Sequence, residues 1–106
     1  MTMKRIVGPT QLTAAAATYY TAPTGIRAVI KRIHLLNTDV AARTVTISIG
    51  ADAAGTRLYQ TQTLAANGGY FDDYANYTLE PAEILQANAD VTLKVTMTVN
   101  ADLTAT

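Results

Sequence analysis

Residues 90–100 read DVTLKVTMTVN. Val91, Leu93, Val95, Met97 and Val99 alternate with Thr92, Lys94, Thr96 and Thr98. A period of two sends successive side chains to opposite faces of an extended chain, so this stretch predicts a strand with one face in a core and the other in solvent. RTVTISIG, residues 43–50, repeats the pattern, with Val45, Ile47 and Ile49 on one side and Thr44, Thr46 and Ser48 on the other. Threonine outside and β-branched residues inside suit a pleated sheet. The small-residue turn ADAAG, residues 51–55, leads into TRLYQTQTL, whose weaker alternation suits an edge strand.

GIRAVIKRIHLLN, residues 25–37, alternates with a fault. Ile26, Ala28 and Ile30 share one face, while Ile33 and Leu35 fall on the other, so the apolar phase flips between Ile30 and Ile33. One extra residue in a bulge re-aims every later side chain, and a strand bending between sheets does the same. A helix competes through Ile26, Val29, Ile30 and Ile33, but the β-branched content favours a strand.

The N-terminal segment 1–25 is expected to be less regular. KRIVG reads as a short strand ended by Gly8-Pro9, and TAAAAT as a loop leading into a strand over TYYTAP. Pro23 and Gly25 mark a turn, and EILQAN, after Glu80-Pro81, reads as a strand rather than a helical turn. About eight short strands without a helix predict a single all-β sandwich over residues 1–106, of jelly-roll or related Greek-key topology.

Composition bounds the function. A chain of 106 residues with 49% apolar content forms one domain with its own core. It has no cysteine, which excludes disulfides and thiolate chemistry, and no net charge, which argues against a general nucleic-acid or membrane-surface binder. The start of the chain shows no signal-peptide pattern, and no segment has the length of a transmembrane helix. Charge is uneven: residues 1–50 carry six basic residues against Asp39 alone, and residues 51–106 carry Arg57 and Lys94 against seven acids. Either the halves intermix and pair, or a polar subunit meets its neighbours through opposite charges; intermixing is the expectation for an all-β fold.

NGGYFDDYANY, residues 67–77, holds four of the seven aromatic residues, Tyr70, Phe71, Tyr74 and Tyr77, around Asp72 and Asp73. Three roles are open to it: closing the core, forming a subunit interface, or stacking on a glycan. Adjacent carboxylates on a strand face opposite ways, which is poor geometry for joint hydrolysis, and the alternating oxygen ligands of a calcium loop are missing. The single histidine, His34, has no partners for a histidine metal site and is expected to be structural. No cofactor motif is present; GADAAGTR lacks the lysine of a phosphate loop.

Several motifs together resemble small β-sandwich structural proteins of tailed bacteriophages, of head-decoration, minor capsid or minor tail type. They are IKRIHLLN (30–37), TVTISIG (44–50), GTRLY (55–59), LAANG (64–68) and LEPAEILQA (79–87), within residues 26–99. The resemblance implies a non-enzymatic virion component made in the host cytoplasm and present in many copies. Its expected partners are the major capsid or tail protein and copies of itself. A minor tail or neck accessory protein, or a glycan- or receptor-binding module, are the alternatives. One position departs from the pattern: Ala82 stands where glycine commonly follows the proline, and a turn needing positive φ there would strain it.

Overall fold

The computed structural model describes residues 2–74 and 76–106, and these form an all-β sandwich of nine strands. They are β1 (Thr2–Gln11), β2 (Ala17–Thr21), β3 (Ile26–Asn37), β4 (Arg43–Ile49), β5 (Arg57–Leu64), β6 (Tyr70–Asp73), β7 (Tyr77–Leu79), β8 (Ile84–Ala89) and β9 (Val95–Ala105). One sheet runs β1-β9-β3-β6, with β7 continuing beside β3, and the other runs β2-β8-β4-β5. Every pairing is antiparallel.

The order is that of a long hairpin rolled on itself. β1 pairs β9, β2 pairs β8, β3 pairs β6 and β7, and β4 pairs β5, all nested about the turn at residues 50–56. Rolling adds the pairs β3–β9 and β4–β8. This is jelly-roll connectivity. The expected eight strands become nine because the sixth is split into β6 and β7, which both lie on β3.

The long strand β3 carries the anticipated bulge. Against β9, Ile30 sits opposite Ala101 and Arg32 opposite Asn100, leaving Lys31 as the extra residue. Ala28 and Ile30 before it and Ile33 and Leu35 after it therefore enter one core. Ile47, Leu85 and Met97 meet them there from both sheets. β5 lies at a sheet edge, as its weak alternation suggested.

Three expectations need correction. β9 begins at Val95, so Val91 and Leu93 belong to the preceding turn; Leu93 has φ 63° and an exposed side chain. Thr46 and Ser48, read as solvent-facing, are buried, because β4 is a central strand flanked by β8 and β5 and the Thr46 hydroxyl accepts a hydrogen bond from the Thr61 N–H. The segment KRIVG is not stopped by Gly8-Pro9: β1 runs through them to Gln11, with register shifts on either side of Val7. An edge strand tolerates proline because one of its sides has no ladder to feed.

Candidate functional site

The site is built on the outer face of the β1-β9-β3-β6 sheet. Beyond the bulge, Arg32, His34 and Leu36 alternate with the buried Ile33, Leu35 and Asn37, so they point away from the core. β6 pairs with this part of β3, setting Tyr70 opposite Leu36 and Asp72 opposite His34. The register is fixed upstream by the Asn67-Gly68-Gly69 turn. Asn67 has φ 58° and Gly68 φ 91°. A Cβ at Gly69 would stand 2.2 Å from the Ala65 carbonyl oxygen, so only glycine fits. The buried Asn37 holds this turn: its side-chain amide donates to the carbonyls of Ala41 and Ala65, and its backbone bonds to Gly68 and Gly69.

The segment YFDDYANY splits between the two faces. Phe71 points inward, packs against the core and meets the Tyr59 ring edge-on, with centroids 5.6 Å apart. Tyr77 also packs on the core, and its Oη donates to Asp73 Oδ2 at 2.8 Å. Burial and this bond to an acid push the Tyr77 phenol above its ordinary range. These residues close one side of the sandwich, and the phenol of Tyr59, buried among them and beside Asp73, is likewise held strongly upward. Tyr70 and Tyr74 lie on the opposite face and are 68% and 67% exposed. Asp72 and Asp73 face opposite ways, as adjacent strand residues must.

Asp72 organises the outer face. Its Oδ1 accepts His34 Nδ1 at 2.6 Å, Arg32 Nε at 3.0 Å and Arg32 Nη2 at 2.9 Å, while Oδ2 takes none of these bonds. Burial alone would raise its pKa, but the hydrogen bonds from His34 and Arg32 and their charge outweigh it and hold the carboxyl below its usual range. With Asp72 ionised, His34 Nδ1 must carry the hydrogen it shares. Tyr70 leans on the His34 ring at 6.1 Å between centroids, and the Arg32 guanidinium sits 5.3 Å from the centre of the Tyr74 ring. The result is a flat patch of two exposed tyrosines, a leucine and a rigidly held ion cluster. Among the described residues no three acids or histidines gather where a metal could bind, and no helix is long and apolar enough to cross a membrane.

Arg32 and Leu36 are site residues that the sequence reading passed over. The alternation after the bulge already places them with His34; what strand periodicity does not carry is that β6 is their neighbour. The opposite-charge halves do interleave: Arg27 pairs with Glu80, Arg32 with Asp72, and Arg43 lies 3.9 Å from Asp90. The topology requires this mixing, since most N-terminal strands lie beside C-terminal ones.

What fold and site together define is a class: a jelly-roll sandwich with an aromatic, charged patch on one outer sheet face. No family model matches the chain, and comparison with curated proteins gives no match.

Proposed function

We propose that this chain is a non-enzymatic structural protein of a tailed-phage virion, a capsid decoration (cement) protein seated in multiple copies on the particle. The observation that carries the reading is the exposed Tyr70–Tyr74 pair on a jelly roll. Large tyrosine rings left in water on a rigid sheet face suit burial by another subunit. The motif resemblance over residues 26–99 supplies the virion context, and jelly rolls recur in viral capsids, which is an analogy of fold. His34 and Asp72, the residues with most catalytic potential, are bound to each other, and Asp72 is bound to Arg32 as well. The same features suit a minor tail or neck accessory protein, which imaging of the intact particle distinguishes.

A glycan- or receptor-binding module is the second reading. It is favoured by tyrosine rings flanking a carboxylate on one open face.

The double variant Tyr70→Ser/Tyr74→Ser tests these readings. Both side chains are exposed, so the melting temperature should hold within a few degrees. Particle occupancy should collapse, since a central tyrosine contributes on the order of 2 kcal/mol and seating in many copies multiplies the loss. Normal occupancy with an unchanged melt would sink the proposal, and normal occupancy with lost sugar binding would establish the second reading.

A further inference from the structure

We propose that the partner of the tyrosine face is a second copy of this chain, related by a two-fold axis that runs along the strands between β9 and β3. This rests on the reading above only in taking that face as a protein contact.

Among the described residues five large apolar side chains are exposed: Met3 and Tyr70 belong to the β1-β9-β3-β6 sheet, Tyr74 directly follows β6, and Val40 and Leu93 lie in other loops. The opposite outer face, with Thr18, Thr44, Gln86 and Asn88, carries none. Size points the same way. The molecule measures 43 × 25 × 19 Å, so a broad face has an outline on the order of 1,000 Å², enough for the roughly 800 Å² per partner of a stable interface. An end of the sandwich offers about half of that.

Charge selects the axis. The β1 edge of the face carries Arg5, which has no ion-pair partner among the described residues. Its side chain runs toward Gly8, where a Cβ would lie 3.8 Å from Arg5 Nε. That brings the guanidinium level with Thr98 and His34, the row that ends at Asp72 on β6. The β6 edge carries Asp72, whose Oδ1 is shared by Arg32 and His34 and whose Oδ2 has no hydrogen bond among the described residues, and the two tyrosine rings. An axis along the strands lays the β1 edge of each copy over the β6 edge of the other. Arg5 of one copy then meets Asp72 and Tyr74 of the other, twice over by symmetry. An axis across the strands would instead stack β1 on β1 and leave those groups apart.

Sedimentation velocity of the full chain from about 1 to 100 µM is the test. The expected species is a reversible dimer of the 11.3 kDa chain that weakens as salt rises. Arg5→Glu and Tyr70→Ser/Tyr74→Ser should each weaken it about tenfold or more, with unchanged circular dichroism, while Thr18→Glu on the other sheet should not. Should the tyrosine variant unfold, Arg5→Glu at the exposed edge decides alone. A wild-type chain that stays monomeric, or a dimer indifferent to Arg5→Glu, overturns the proposal. A monomer that still occupies particles overturns only the dimer, and a dimer that never joins a particle overturns only the virion role.

Discussion

At the scale of single residues, the chain holds backbone strain where nothing in the core demands it. Ala82 has φ 72° in the turn from Glu80 to Glu83, closed by the Glu83 N–H to Glu80 carbonyl bond at 3.0 Å. Pro81 supplies the fixed φ of the first central position, and the second then needs the left-handed region that glycine enters freely. The sequence had marked this alanine as out of pattern, and the turn geometry shows why. A non-glycine residue there costs about 1–2 kcal/mol, and the added freedom of glycine when unfolded returns part of it. Ala82→Gly should therefore raise stability by roughly 0.5–1 kcal/mol and the melting temperature by a few degrees. A chemical-denaturation midpoint that stays put or falls would contradict this account. Leu93, exposed at φ 63°, is a second such position.

At the scale of elements, β9 tests the alternation on which the fold was read. Val95 is fully buried, while Thr96 lies between Gln11 and Leu36 on the outer face. Val95→Asp sets a charge among apolar side chains and should cost about 3 kcal/mol or more, a large share of a small domain's stability. Thr96→Asp should cost under about 1 kcal/mol. Equal losses in urea titrations of the two variants would mean the faces are misassigned. Within β3, β4 and β9 the core face was legible because burial imposes a period of two, and the phase flip around Lys31 left a bulge or a bend between sheets, of which the structure has the bulge. The start of β9 was not, because Val91 and Leu93 continue the alternation into a turn that strained backbone and the Leu93 N–H bond to the Leu12 carbonyl hold in place. The tyrosine segment was legible only in composition. Its division into Phe71 and Tyr77 inside and Tyr70 and Tyr74 outside depends on pairing with β3, forty residues away in sequence.

At the scale of the whole molecule, a rolled hairpin leaves four sheet edges, and each is interrupted. β1 carries Pro9 and two register shifts, β2 shifts between Thr18 and Tyr20, β5 kinks at Thr61 with φ 49°, and the fourth edge is divided into β6 and β7. Unbroken edges would pair with further chains without limit, so these faults restrict association to faces, where a closed pair of copies can form. β1, at ten residues, is the longest of the four edges and the most exposed to this hazard. Pro9 withholds an N–H there, and its ring is open to solvent. Pro9→Val restores the donor and adds a β-branched residue that favours extended pairing. The native fold should survive, because Pro9 lies outside the core, and far-UV circular dichroism should be unchanged. Agitated samples should aggregate into β-rich material sooner than the parent chain, measured by light scattering and by a fibril-binding dye. Aggregation times equal to the parent's would show that the bulges alone protect this edge, and a double change straightening both register shifts would then be needed to open it.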